Sequence, residues 1–207
     1  METQVIAKEE LPKIISCLQN QNIIAFPTET VFGLGCLLND VDSLQKIYSI
    51  KERKIEKAIT LMLPHSNAIE QYATISSKSN RVIRTFMPGK LTIVLPTSNP
   101  FLQSITHTPT IGIRIPNDPF VLQLLQAVGG MWVTSANLSG HQNMSTEQDV
   151  YQVFQGKIPM IVKGKTNSLV ASTVVDMSKD LGIILRQGEI TQEKIARVIN
   201  DENSSSM

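Results

Sequence analysis

Four polar clusters interrupt the apolar pattern of this sequence at points where strands should end. The first, Pro27-Thr28-Glu29-Thr30, runs into Val31-Phe32-Gly33-Leu34-Gly35. Hydroxyls, a carboxylate and glycines there set small donors and acceptors at a sheet edge, a common ligand position in α/β folds. A helix cap and turn would use the same residues. The second cluster, Lys51-Glu52-Arg53-Lys54 followed by Lys57, gathers four cations at the end of an amphipathic stretch. Such a run is either a solvated face or a polyphosphate holder, with Arg supplying a fork and Lys a point charge. In the third, Ile111-Gly112-Ile113-Arg114-Ile115-Pro116, a strand's alternation turns Arg114 away from Ile113 and Ile115. A buried guanidinium needs an anionic partner, which a ligand or a protein carboxylate could supply. The fourth, Thr134-Ser135-Ala136-Asn137-Leu138-Ser139-Gly140 after Met131-Trp132-Val133, offers hydroxyls, an amide and backbone N–H groups suited to an anion or to a plain turn.

Other chemistries lack their residues. Lys163-Gly164-Lys165-Thr166 resembles the end of a phosphate loop, but Pro159 stands where that motif needs its first glycine, so a surface turn is expected. Gly33-x-Gly35 meets Leu38 where a dinucleotide fingerprint needs a third glycine. No His-Glu-x-x-His or Gly-x-Ser-x-Gly occurs. His65, His107 and His141 with Cys17 and Cys36 give neither metal-ligand spacing nor a disulfide framework.

The elements that must position these clusters follow from periodicity. The chain has 207 residues, 42% hydrophobic and 18% charged, which fits one large globular domain. Its net charge of +1 excludes gripping nucleic acid by bulk charge, though not a local cationic groove. No apolar run reaches a membrane span, and Met1 to Glu10 lacks the pattern of a signal peptide, so a cytoplasmic protein is expected. Helical spacing marks Leu11–Leu18, Val41–Lys51, a short stretch at Ile69–Tyr72, a helix through Phe86 and another over Phe120–Val128. Ser145-x-x-Gln148 resembles a capping box opening a helix through Phe154, and Thr191 should cap a last helix to Ile199. Extended segments are expected at Ile23–Phe26, Ile59–Leu63, Leu91–Leu95, Ile111–Ile115, Met131–Val133, Ile158–Lys163, Thr173–Asp176 and Ile183–Arg186. These strands and helices in mixed order imply an α/β domain around a twisted mixed sheet flanked by helices. Residues 1–200 should form it, and 201–207 a frayed tail.

Taken together, the clusters are specific. With Pro88-Gly89-Lys90-Leu91-Thr92, Ser172-Thr173-Val174-Val175-Asp176 and Leu185-Arg186-Gln187-Gly188, their ordered set resembles the YrdC/TsaC family of threonylcarbamoyl-AMP synthases over about residues 10 to 190. The resemblance implies a single YrdC-like domain with a cationic concave groove. It also implies synthesis of threonylcarbamoyl-adenylate and pyrophosphate from ATP, L-threonine and bicarbonate or CO2. The product would pass to a tRNA threonylcarbamoyl-transferase complex that modifies the adenosine beside the anticodon, with weak tRNA binding and no membrane partner.

Carried over by motif, Lys51, Arg53 and Lys57 would face the ATP phosphates, with Lys51 and Arg53 catalytic and Mg²⁺ bridging through the ATP. Asn137, Ser145 and Arg186 would help to bind nucleotide. Thr30, Arg114, Thr134, Ser135 and Ser172 would surround L-threonine, with Arg114 pairing its carboxylate. The sequence departs from the family at Lys54 and Ala58, where prolines are common, and at Met62, where some members carry histidine. Two other readings share the fold. One is an RNA-binding module using Lys51, Arg53, Lys54 and Lys57, disfavoured by the +1 charge and by few aromatics. The other is a carbamoyl-phosphate-using relative.

Overall fold

Short apolar runs bounded by turns pair edge to edge into a ten-stranded sheet in a computed structural model that describes residues 1–54, 58–166 and 168–201. In chain order the strands are β1 (Gln4–Ile6), β2 (Ile24–Phe26), β3 (Gly33–Leu37), β4 (Thr60–Met62), β5 (Leu91–Pro96), β6 (Thr110–Arg114), β7 (Met131–Ser135), β8 (Met160–Val162), β9 (Thr173–Asp176) and β10 (Ile183–Arg186). Their spatial order is β1-β8-β2-β3-β7-β4-β6-β5-β9-β10. Strand directions are mixed: β4 runs parallel to β6 and β5 to β9, while β3–β7, β4–β7, β5–β6 and β9–β10 are antiparallel.

Seven helices connect the strands among the described residues: α1 (Leu11–Gln19), α2 (Val41–Ile50), α3 (Ser77–Phe86), α4 (Pro100–Thr106), α5 (Pro119–Val128), α6 (Glu147–Phe154) and α7 (Gln192–Asn200). Their starts are set by side-chain caps. Asp40 accepts from Ser43 N–H at 3.1 Å, Asp118 from Val121 N–H at 3.0 Å, and Ser76 and Ser79 cap α3 reciprocally. Each such cap is worth about 1 kcal/mol.

The helices divide unequally between the two faces of the sheet, and that division makes the site. On one face Leu44 and Ile47 of α2, Val82 and Ile83 of α3, Val150 and Phe154 of α6, and Ile195 and Ile199 of α7 close over Leu61, Ile93, Ile111, Ile113 and Val175. On the other face α1 and α5 alone pack Ile14, Leu18, Val121, Leu124 and Leu125 against Phe26, Met62, Met131 and Val133. The second face is therefore covered only in part, leaving a concavity over β4, β6, β5, β9 and β10.

Several expectations are adjusted. The segment Gly33–Leu37, to which no element was assigned from sequence, is strand β3, and β1 and α4 were not foreseen. Ile69–Tyr72 belongs to a 3-10 turn over Ser66–Gln71. The cap of α6 is Thr146, one residue beyond Ser145, with its Oγ1 accepting from Asp149 N–H at 3.2 Å. Lys57 and residues 202–207 lie outside the described residues.

Glycine is required in β3 by the tightness of the sheet. A Cβ on Gly35 would lie 2.8 Å from the Trp132 carbonyl oxygen and 3.1 Å from Val133 Cγ2. The first of these is backbone and cannot give way without disturbing the β3–β7 ladder. Gly35→Ala should therefore destabilise the fold by about 1–3 kcal/mol through overpacking. Urea unfolding would check this, and an unchanged midpoint would contradict it.

Candidate active site

The period of two along each strand sends alternate side chains into the concavity. On β6, Thr110, Gly112 and Arg114 face it while Ile111 and Ile113 enter the core. Thr92 and Val94 of β5 and Thr60 and Met62 of β4 do the same, against Leu91, Ile93, Leu95 and Leu61. The result is a cavity of about 430 Å³, also lined by Thr28, Thr30, Arg53, Thr134, Ser135, Ser172 and Arg186. That volume falls within the range of small-molecule sites, about 300–1,000 Å³.

At one end Arg114, 4% exposed, is held by three partners. Its Nε donates to the Gly89 carbonyl at 3.2 Å, Nη1 to Thr30 Oγ1 at 3.0 Å and Nη2 to Glu29 Oε1 at 2.8 Å. Glu29 Oε1 also accepts from Asn117 N–H at 2.8 Å, while its Oε2 is buried with no protein partner. The proton of Thr30 can be placed by elimination. Thr28 Oγ1 donates to the Val31 carbonyl at 2.8 Å, so in the 3.0 Å Thr28–Thr30 contact the donor must be Thr30. Thr30 thus accepts from Arg114 and donates to Thr28, and it orients the guanidinium with no proton left over for a ligand. Two further N–H groups of the Arg114 fork remain for an anion.

A second guanidinium stands at the neighbouring wall. Arg186 Nε and Nη2 both donate to the Ser172 carbonyl, at 3.0 and 2.9 Å, and Nη2 reaches Ser172 Oγ at 3.1 Å. Ser172 Oγ and Thr92 Oγ1 are 2.9 Å apart. Burial, then Arg114, then Arg53 push the Arg186 pKa below its ordinary value. Burial also lowers that of Arg53, whose Nη2 donates to the Ala58 carbonyl at 2.8 Å. Three guanidinium groups therefore share a cavity with no carboxylate among its described lining residues, Glu29 standing behind Arg114. Such an arrangement is suited to anions.

The structure places Lys51 differently from the expectation that it faces phosphates. It ends α2, is 1% exposed, and its Nζ donates to the carbonyls of Ser135 and Asn137. Its own carbonyl accepts from Ser139 N–H at 3.0 Å. The loop after β7 is thus built around this side chain. Within that loop Ser135 Oγ donates to Asn137 Oδ1, and Asn137 Nδ2 donates to the carbonyls of Leu138 and His141, at 3.0 and 2.7 Å. Burial, reinforced by Arg53, lowers the Lys51 pKa to about 7. A neutral amine still carries two hydrogens for the two carbonyls.

The structure thus brings Thr30, Arg53, Arg114, Thr134, Ser135, Ser172 and Arg186 to one cavity, while Lys51 and Asn137 sit in the loop behind its rim. Ser145 is not among the lining residues; it precedes the Thr146 cap, its carbonyl accepting from Thr166 N–H at 2.8 Å. Sequence reasoning gave no role to Glu29, Thr92, Thr60, Thr108 or Thr110. The alternation of β6 could have found Thr110, because it shares the phase of Arg114 on that strand. Among the described residues no three His, Cys, Asp or Glu side chains group as a metal cage.

The fold is that of a known family. The Sua5/YciO/YrdC family, described as "Telomere recombination", matches residues 16–188, and the chain belongs to it. A Bacillus subtilis relative named threonylcarbamoyl-AMP synthase is 31% identical over 195 residues, which are 92% of this chain and 56% of the relative. A Vibrio parahaemolyticus protein of the same name is 28% identical over 185 residues, 87% of this chain and the whole of that one. The structure of Pyrococcus abyssi Sua5 complexed with L-threonine superposes with a TM-score of 0.89 at 28% identity, over 96% of this chain and 61% of that one. The chain thus spans little more than half the length of its longer relatives and the full length of a shorter one.

Replacing Lys51 tests its place in the loop. Lys51→Met leaves two buried carbonyls without their donor, each worth about 1–3 kcal/mol. The pH dependence has a definite sign. With the folded pKa near 7 and the unfolded one about 10.4, the unfolded chain binds more protons between those values. The stability that Lys51 contributes should therefore rise with pH above 7. Urea unfolding at pH 7 and pH 9 should show the gap between wild type and Lys51→Met widening; a constant gap would contradict it.

Proposed function

We propose that this chain catalyses formation of threonylcarbamoyl-adenylate and pyrophosphate from L-threonine, bicarbonate or CO2, and ATP. The observation that carries the reading is three guanidinium groups, Arg114, Arg186 and Arg53, around one cavity with hydroxyls at the Arg114 end and no carboxylate among the described lining residues. Arg186 feels the charge of both others, so it lies between them electrostatically. Its relatives' names and the L-threonine complex of the Pyrococcus abyssi protein point the same way.

The chemistry needs positioning more than a nucleophilic side chain. Threonine's amine adds to CO2, losing one proton, to give a carbamate. A carbamate oxygen then bonds to the α-phosphorus of ATP as the bond to the β-phosphate oxygen breaks, releasing pyrophosphate. Arg114 pairs the threonine carboxylate through its remaining N–H groups, with Thr30 and Glu29 fixing its plane. Arg186 and Arg53 hold the carbamate and phosphate charges together, with Lys57 adding a further cation. Ser135, Thr134 and Ser172 supply hydroxyls around the amino acid. Lys51 and Asn137 shape the wall rather than touch the phosphates, and Ser145 borders the nucleotide end. Mg²⁺ bound to the triphosphate would offset part of its charge, and the described lining residues offer arginines for the phosphates and no carboxylate for the ion. The adenylate then goes to a tRNA-modifying transferase complex.

Pyrophosphate release measured with Mg²⁺ and ATP, omitting L-threonine or bicarbonate in turn, should require both. Arg114→Ala should lower kcat/KM for threonine by at least about 100-fold, the scale of a lost buried charge-assisted contact. Release that ignores threonine would overturn the reading. Salt-sensitive RNA binding without turnover would replace it with the non-catalytic one, and dependence on carbamoyl phosphate with the other relative.

A further inference from the structure

The two outer edges of the sheet are built differently. β10 carries a bulge between Ile184 and Arg186, a device that blunts an edge against further pairing. β1 pairs with β8 in unbroken register and has neither a proline nor a charged side chain. Gln4 N–H donates to the Pro159 carbonyl at 2.9 Å, and the Ile6 carbonyl accepts from Lys163 N–H at 2.7 Å. Gln4 and Ile6 therefore turn their backbone groups toward β8, and the N–H and C=O of Val5 between them point away from the sheet. Thr3 holds the start of the strand in place, its Oγ1 donating to the Ile158 carbonyl and accepting from Gly156 N–H. The bare edge is thus preorganised for a strand to pair with it.

A groove of about 460 Å³ lies beside this edge and shares no lining residue with the arginine cavity. Val5, 45% exposed, lines it together with Glu147, Gln148, Tyr151 and Gln152 of α6 and with Lys163. Val162 pairs with Ile6, so Lys163 lies beside Ala7, whose backbone is still extended at φ −69° and ψ 151°. By the strand period of two, Val5 and Ala7 share the face that carries the groove. The carboxylate of Glu147 is occupied: Oε2 accepts from Gly164 N–H at 3.2 Å and Oε1 from Gln148 Nε2 at 3.1 Å. Lys163 makes no ion pair among the described residues, so the groove carries one uncompensated positive charge.

We propose that the β1 edge and this groove form a docking site for an extended segment of a partner polypeptide, added to the sheet as a further strand and carrying an apolar residue and a carboxylate two positions apart. The backbone of that segment pairs with the outward N–H and C=O of Val5. Its apolar side chain lies over Val5 beside the Tyr151 ring, which packs partly on the core. The next side chain on the same face lies over Ala7, two strand spacings or about 9.6 Å from Lys163. Ala7 projects only a methyl group, so a carboxylate and the Lys163 ammonium can meet above it. Main-chain bonds supply the affinity, and the two side chains choose the partner. The site stands apart from the cavity and does not rest on the synthase reading.

The test titrates the isotope-labelled full chain with the peptide acetyl-Thr-Val-Thr-Glu-Thr-amide and follows backbone amides by NMR. The Val5 amide and those of Ile6, Tyr151 and Lys163 should shift together. Lys in place of Glu in the peptide, or Lys163→Glu in the protein, should each weaken Kd by about tenfold or more. The two changes combined should restore it to within about threefold of the starting value. Val5→Pro should keep the urea midpoint, because the sheet does not use that N–H, and should abolish binding. No Val5 shift at millimolar peptide, or equal affinity for the Glu and Lys peptides, overturns the proposal. A wild-type dimer in sedimentation that Val5→Pro dissociates gives the edge to a second copy of this chain and overturns it as well. Should Val5→Pro fail to fold, the charge exchange decides, and failure to restore binding overturns the proposal.

Discussion

A buried guanidinium fixes much of this architecture. Arg114 is almost fully removed from water, and a charge so placed is tolerated only with partners in good geometry. Those partners come from separate parts of the chain: Gly89 before β5, Glu29 and Thr30 after β2, and through Glu29 the Asn117 backbone ahead of α5. One side chain thus ties the middle of the sheet to the loop on its left and the helix above. Breaking the set by removing one member leaves the others buried and unpaired, so these residues stand or fall together. The same constraint leaves part of the Arg114 fork aimed at the cavity, because the protein occupies only some of its donors.

A second buried cation does similar work for the opposite rim. Lys51 joins the end of α2 to the loop after β7, and that loop satisfies its remaining polar groups internally through Ser135 and Asn137. The rim is therefore preorganised before any ligand arrives. Its shape depends on a residue that does not line the cavity. The uneven helix coverage completes the picture, since α1 and α5 support one half of the inner face and leave the other as a binding surface.

Much of this was legible in the sequence. The orientation of Arg114 followed from the alternation around it, and the cavity gathers most of the expected residues. What escaped did so for physical reasons. Gly33–Leu37 carries glycines that weaken strand propensity, and it is a strand because its flanking ladders need close approach there. Lys51 sits in a run of charges that composition reads as solvated, and only the tertiary fold shows that one of them turns inward. Thr92 became visible as a neighbour of Arg114 only once strand order and register were known, and neither follows from local pattern. Ser145 and Thr146 differ by one position, the usual scale of error at a helix start.

The surplus of positive charge in the cavity bears on how the protein behaves when nothing is bound. Beyond burial, Arg114 and Arg53 both push the Arg186 pKa down, so the ligand-free cavity carries like-charge repulsion at Arg186, while Glu29 balances Arg114 from behind. Any multivalent anion that enters relieves it, and the folded state gains stability by mass action as well as by contact. The polyanionic substrate is thus also a structural component of the site that it occupies.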